Sequence, residues 1–204
     1  KMLIYGPSGV GKTRFAASFP SPIFLDVEDG LLGAKDILPP ETEIYQVRSF
    51  EDMLTALDRI KGKPNYKTVV VDSMTAYSRY MMDNLLQKTK REKPSRDEYE
   101  VIKEKLRRTI IKLKELKMHV IIICLDDVRE NDLTKEVSII PSLIGKIAKE
   151  ASEMLDEVFY FHVRGNEPTL LTKATGIIQA KDRSGKLSQY EKPDSKVIME
   201  KLLS

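Results

Sequence analysis

The 204-residue sequence contains one cysteine, two histidines and no tryptophan. A single thiol cannot build an intramolecular disulfide framework, which excludes the small crosslinked scaffolds of secreted proteins. Cys124 sits inside the apolar run Val120-Ile121-Ile122-Ile123-Cys124-Leu125, a setting for a small core side chain rather than for a nucleophile. His119 and His162 share no metal-ligand spacing with cysteine or acids, so both read as strand residues. No apolar run approaches the roughly 20 residues that cross a bilayer, and no apolar leader opens the sequence. The expectation is a cytoplasmic protein with no membrane partner. Charge of one sign is also lacking: 34 Lys and Arg against 31 Asp and Glu leave a net +3. That is too little to advertise a polyanion partner over the whole surface, so any nucleic-acid contact must come from local clustering.

What is present is an alternation of short apolar runs with helical patterns, the signature of a mostly parallel sheet covered by helices. Strands are expected at 3–5, 23–27, 43–47, 68–72 and 120–125, with a later pair at 157–162 and 169–172. Helices are expected at 12–18, 50–61, 75–87, 98–117, 142–154 and 195–203. The fourth helix is the clearest. Ile102, Leu106, Ile110 and Leu113 recur at helical spacing, and Ser95 with Glu98 matches a capping box. Two stretches, 88–96 and 126–141, are polar and read as irregular loops, and residues near 181–186 read as a hairpin or loop. No repeat, low-complexity tract or linker divides the chain. The expectation is one α/β domain over residues 1–204, with a C-terminal hairpin.

Gly6-Pro7-Ser8-Gly9-Val10-Gly11-Lys12-Thr13 satisfies every fixed position of the pattern G-x-x-x-x-G-K-[ST]. The context also fits, because an apolar strand precedes the motif and a helix opening with Arg14-Phe15-Ala16 follows it. A strand, a glycine-bearing turn and a helix start aim several backbone N–H groups at one point. In such a loop Lys12 reaches the β- and γ-phosphates, and the Thr13 hydroxyl ligands Mg²⁺. Residues 6–14 are therefore candidate ATP-binding positions.

Two further acids complete the candidate site. Thr68-Val69-Val70-Val71-Asp72-Ser73 is an apolar strand ending in a carboxylate, the usual place for the residue that orients the Mg²⁺ shell. Ser73 either helps order that shell or N-caps the next helix. In Ile23-Phe24-Leu25-Asp26-Val27-Glu28, the two acids are two residues apart and share one face at a strand's carboxyl end, where open α/β sheets bind ligands. Glu28 is the candidate general base for a water attacking the γ-phosphate. The plainer alternative is an acidic solvated loop.

On these pieces the chain resembles the RecA-type P-loop ATPases, and within them the phage nucleotide-binding proteins that accompany single-strand annealing and recombination. The matching residues are 6–13, Asp26-Val27-Glu28, 69–73, the strand 119–125, Pro141-Ser142-Leu143-Ile144-Gly145-Lys146, and Lys181-Asp182-Arg183. The resemblance implies a sheet in which another strand separates the phosphate-loop strand from the Asp72 strand. It implies Mg²⁺-dependent ATP hydrolysis with Glu28 as base, and homo-oligomers with ATP at the subunit interface. Lys181 and Arg183 stand where such proteins carry basic residues that complete a neighbour's site. A phage-encoded protein of this kind works in the host cytoplasm.

The resemblance also implies single-stranded DNA as partner, contacted through two loops. Here these correspond to 88–96, with Lys88, Lys90, Arg91, Lys93 and Arg96, and to 126–141. The first could neutralise several phosphates, and Tyr99 nearby could stack on a base. The second holds acids and bases in near balance (Asp126, Asp127, Arg129, Glu130, Asp132, Lys135, Glu136), which weakens the reading there. Leu125-Asp126-Asp127 departs from the polar Gln-type sensor expected at that strand end, leaving Asp126 as the substitute. Two other functions remain compatible with the motifs. One is an ATP-driven oligomeric switch without DNA binding. The other is a small-molecule kinase, though 126–141 offers only Arg129 for a phosphate-covering lid.

Overall fold

The computed structural model describes residues 1–131 and 134–204. Among them, six strands form a parallel array in the order β3 (Ile44–Gln46), β2 (Pro22–Asp26), β4 (Thr68–Asp72), β5 (His119–Cys124), β1 (Met2–Tyr5) and β8 (Glu157–Arg164). Beyond β8, the strands β9 (Glu167–Leu171) and β11 (Tyr190–Glu191) continue the sheet with antiparallel pairing, and β10 (Lys181–Asp182) pairs with the start of β8. The resemblance implied that β1 and β4 are not neighbours. β5 lies between them.

The central strands are buried on both faces and read as nearly continuous apolar runs, as parallel strands do. Their period of two divides the core. Leu3, Leu25, Val71 and Ile122 face one layer, with helices α2 (Phe50–Lys61), α3 (Met74–Thr89), α4 (Arg96–Glu115) and α5 (Ile147–Met154). Ile4, Phe24, Val70, Ile121 and Phe159 face the other layer, against α1 (Lys12–Ala17) and α6 (Ser195–Leu203). Ser95 and Glu98 form the expected capping box of α4, and Ser49 caps α2 by accepting from the Asp52 amide.

Three local expectations are corrected. Residues 88–96 are not one irregular loop: α3 runs through Thr89, Lys90 closes it with φ +53, and α4 begins at Arg96, leaving a short turn. The helix expected from 142 begins only at Ile147, after a turn in which Gly145 has φ +56. Most of 126–141 is a β-hairpin, in which β6 (Asp126–Glu130) pairs antiparallel with β7 (Val137–Pro141). Asp132, counted in the expected loop, lies outside the described residues. The hairpin is held from outside its own sequence. The Tyr5 hydroxyl donates to the carbonyls of Ile139 and Gln179, and the Ile139 amide donates to Ile177 O at 2.7 Å.

The parallel register aligns the strand ends. Tyr5 lies beside Cys124 and Asp26 beside Asp72, so the segments that follow β1, β2, β4 and β5 all emerge at one edge of the sheet. That edge is where open α/β sheets place their ligands.

Candidate active site

The segment after β1 needs its glycines. Gly6 has φ +152, and a Cβ there would lie 2.1 Å from the Phe161 carbonyl oxygen on β8. Gly11 has φ +103 and is the N-cap of α1. Both are conformations that side chains rarely adopt. The turn thus wraps tightly against β8 and delivers Lys12 and Thr13 to the first turn of α1. Lys12 is buried, with its ammonium donating to Gly6 O at 2.8 Å and Pro7 O at 2.6 Å. Burial lowers its pKa, while the charge of Asp72 opposes the shift.

The Thr13 hydroxyl donates to Asp72 Oδ2 at 2.7 Å, joining the first turn of α1 to the tip of β4. Asp72 is buried, and that burial pushes its carboxyl up to about 6. The Thr13 bond pulls the other way, and the charges of Glu28 and Asp26 add to the rise. The Asp72–Ser73 peptide is cis. Ser73 takes the N-cap role, and its hydroxyl makes a second bond to Glu28. Its hydroxyl oxygen accepts from the Ala76 amide as the N-cap of α3, and the same hydroxyl donates to Glu28 Oε1 at 2.7 Å.

Asp26 and Glu28 part company. Asp26 is buried, one carboxylate oxygen accepting from Gln46 Nε2 at 3.0 Å and the other having no hydrogen-bond partner. Glu28 is exposed and lines a cavity of about 430 Å³ together with Ser8, Lys12, Thr13, Asp72 and Leu125. Of the two acids, only Glu28 lines this cavity. Arg14 also reaches the rim, but its guanidinium is held by both carboxylate oxygens of Asp36 at 2.7 and 2.8 Å. The cavity suits a triphosphate: it is lined by the phosphate-loop backbone and the Lys12 ammonium together with Thr13, Glu28, Asp72 and Ser73. Thr13 and Asp72 offer hard oxygen donors 2.7 Å apart, a donor set fitting Mg²⁺, which prefers a carboxylate and a hydroxyl completed by waters and phosphate.

The remaining expected residues lie elsewhere. Lys181 and Arg183 flank Asp182 in β10, beside the amino-terminal end of β8 and so at the sheet edge opposite the phosphate loop. The Lys181 ammonium donates to Ser152 O at 2.6 Å, and Arg183 pairs with Asp156 at 3.0 Å. Neither touches the cavity of its own chain. Lys88, Lys90, Arg91, Lys93 and Arg96 are all exposed around the α3–α4 turn, with Arg91 3.3 Å from Glu98. Tyr99 packs against the turn that follows the other expected loop: a Cβ on Gly145 would come within 3.2 Å of its hydroxyl. Gly145 O in turn accepts from Arg129 of β6 at 2.7 Å. Arg129 also holds Asp127 and Leu143 O, so it does not cover the phosphates. Asp126, the substitute sensor, accepts from the Tyr160 hydroxyl at 3.3 Å. Cys124 is fully buried and its thiol is pushed up to about 12, consistent with an inert core residue.

The sequence matches the AAA domain family over residues 1–184. The chain belongs to that family. No curated relative matches it. Among solved structures, a similar chain is described as a prototypical ATPase from the type III secretion system of pathogenic bacteria. The likeness has a TM-score of 0.54 at 15% identity, over 79% of this chain and 51% of that one, and it is a likeness of fold. The present chain therefore spans about half the length of that ATPase. Family and fold make this a P-loop ATPase domain, with a mostly parallel sheet flanked by helices. Among the described residues, no helix is long and apolar enough to cross a membrane.

No sequence pattern points to Arg48, which is central to the geometry around Glu28. Its guanidinium reaches the carbonyls of Asp26 and Val27 and the carboxylate of Asp29. A lone arginine after a strand carries no local pattern, because its meaning lies in acceptors about twenty residues away.

Proposed function

We propose that the chain is a Mg²⁺-dependent ATPase that binds single-stranded DNA and serves phage-type recombination or annealing. The observation carrying the hydrolytic part is the convergence of Lys12, the Thr13–Asp72 pair and Glu28 on one cavity. Loop amides of residues 8–13 and the Lys12 ammonium bind the β- and γ-phosphates. Thr13 and Asp72 hold Mg²⁺, which when bound neutralises developing phosphate charge. The Glu28 carboxylate takes a proton from a water whose oxygen attacks the γ-phosphorus. The bond from that phosphorus to the bridging oxygen breaks, and its electron pair leaves with ADP. Ser73, donating to Glu28 Oε1, holds one carboxylate oxygen and leaves the other for the water.

Lys181 and Arg183 lie at the edge away from their own cavity, so a role in the reaction requires a neighbouring subunit. An oligomer with ATP between protomers supplies that arrangement. The DNA reading rests on five exposed basic residues at the α3–α4 turn and on Tyr99 beside the hairpin base. Phosphate release from ATP should fall at least about a hundredfold with Lys12→Ala or Glu28→Gln, while Glu28→Gln still binds nucleotide. Single-stranded DNA should stimulate turnover, with affinity dropping steeply as salt rises. Turnover unaffected by Glu28→Gln removes that residue as base. Absence of DNA binding at low salt leaves an ATPase or nucleotide-driven switch without this partner.

A further inference from the structure

Glu28 follows a strand but lies outside it, so something other than the sheet must fix its position. β2 ends at Asp26, and by Asp29 the backbone has reached φ +56, a left-handed conformation uncommon for a residue with a side chain. Backbone bonds carry the sheet as far as Val27, whose amide donates to Asp72 O at 2.8 Å, and two side-chain contacts hold the bend beyond it. On the cavity side, the Ser73 hydroxyl takes one carboxylate oxygen of Glu28. Behind it, one guanidinium nitrogen of Arg48 donates to Val27 O and, at 3.3 Å, to Asp26 O, while the other donates to the Asp29 carboxylate at 2.6 Å. Arg48 therefore grips both residues before Glu28 and the residue after it.

The grip is itself held in place. Arg48 lies just after β3, and its amide donates to Asp52 Oδ2 at 3.0 Å near the start of α2. From α3, Asn84 Nδ2 donates to Arg48 O at 3.0 Å, and the Tyr80 ring lies 5.6 Å below the guanidinium carbon. A planar fork with several donors can satisfy a divided set of carbonyl and carboxylate acceptors, and a lysine ammonium reproduces this poorly. The bonds to the Asp26 and Val27 carbonyls are part-buried and carry most of the grip, whereas the Asp29 carboxylate is mostly exposed and its ion pair adds little.

We propose that Arg48 is the positioning residue of the general base, setting the reach of Glu28 into the cavity by bracketing its backbone. The proposal rests on the reading of Glu28 as base. Arg48 lines no part of the cavity, so its loss leaves nucleotide binding intact and misplaces the carboxylate. Misplacement of a reacting group by about an ångström costs on the order of a hundredfold in rate.

The test is steady-state ATP turnover with Mg²⁺ for wild type, Arg48→Ala, Arg48→Lys, Glu28→Gln and Arg48→Ala/Glu28→Gln. Binding of a fluorescent ATP analogue is measured alongside. Arg48→Ala should lower kcat by about 30- to 100-fold with KM and analogue affinity within about threefold of wild type. Arg48→Lys should recover part of kcat, because it keeps the partner of Asp29 and loses the fork. In the Glu28→Gln background, Arg48→Ala should cost less than about threefold more, since residues acting as one unit are not additive. Arg48→Ala with kcat within threefold of wild type, or a fully additive double variant, overturns the proposal. If Arg48→Ala is unfolded by circular dichroism, Arg48→Lys decides. A kcat at least about fivefold down supports the proposal, and wild-type kcat overturns it. Turnover of Glu28→Gln equal to wild type strikes instead at the general-base reading beneath it.

Discussion

Glu157 should make this protein less stable as pH rises, and its substitution should remove that dependence. It sits at the start of β8, 5% exposed, with one carboxylate oxygen lacking a hydrogen-bond partner. Asp182 faces it across the β8–β10 pair. The Asp182 carboxylate is well satisfied as an anion, accepting from the Ser184 hydroxyl at 2.6 Å, the Gly185 amide at 3.0 Å and the Leu187 amide at 2.9 Å. Burial and the Asp182 charge push the Glu157 carboxyl up to about 7 from 4.5, against a backbone bond from Arg183. The folded state then holds a proton that the unfolded state releases above pH 4.5. Stability contributed by this proton is full below about 4.5 and is lost as pH rises through about 7. At ~1.4 kcal/mol per pH unit the interval corresponds to at most about 3.5 kcal/mol, and relaxation with water entry reduces this to about 1–2 kcal/mol. Glu157→Gln keeps the shape and removes the charge. Thermal unfolding followed by circular dichroism at pH 5, 6, 7 and 8 should show the variant about 2–6 °C more stable than wild type at pH 8 and nearly equal at pH 5. Other groups titrate in both proteins, so the difference between the two curves isolates this one. A difference that is constant from pH 5 to 8 refutes the reasoning.

Gly6→Ala should be among the costliest single-atom additions in the chain. The new Cβ would meet the Phe161 carbonyl oxygen at 2.1 Å in a backbone that favours glycine, so about 3 kcal/mol of stability should be lost, with nucleotide affinity falling too. Chemical denaturation and analogue binding read both effects, and a loss under about 1 kcal/mol contradicts the geometry. Thr75→Val should cost about 2–4 kcal/mol. Its buried hydroxyl donates to Ser142 O at 2.9 Å and accepts from the Leu125 amide at 3.0 Å, and the apolar replacement strands both groups. Thr75→Ser, which keeps the hydroxyl, should lie within about 1.5 kcal/mol of wild type in the same urea titration.

The parts of the site legible in the sequence are those whose chemistry is written into neighbouring residues. The phosphate loop needs glycines at fixed offsets for backbone reasons, and Gly6 against Phe161 shows how strict that need is. Asp72 was legible because an apolar run must end at a sheet edge. Glu28 was legible from its two-residue offset from Asp26, although that argument implied a shared face, whereas one side chain is buried and the other lines the cavity. The β6–β7 hairpin was not legible. β6 is polar and half-exposed, β7 is apolar but short, and their order depends on Tyr5 and on the backbone at 177–179, both distant in sequence. Arg48 was missed for the same kind of reason, since each of its useful acceptors belongs to another segment. Sequence pattern reports periodicity and local turns well. It reports poorly the side chains that join separate segments.

The distribution of positive charge argues most directly about how the site is completed. The cations lining the cavity are Lys12 and Arg14, and Arg14 is already matched by Asp36. Lys12 has two of its three N–H donors on Gly6 O and Pro7 O, and the acids Asp72 and Glu28 share the same space. A transferring phosphoryl group carries negative charge that one ammonium does not balance, so Mg²⁺ and a cation from outside this cavity are the natural complements. Within one chain, Arg129 is committed to Asp127, Leu143 and Gly145, and Arg48 to the bend behind Glu28. Lys181 and Arg183 sit at the opposite sheet edge, Lys181 on the part-buried Ser152 carbonyl and Arg183 on Asp156. The reading of an interfacial site therefore draws on charge balance as well as on resemblance. If the proposed interface forms, ATP turnover per protomer should rise with protein concentration, and Lys181→Ala or Arg183→Ala should abolish that rise; turnover independent of concentration refutes it.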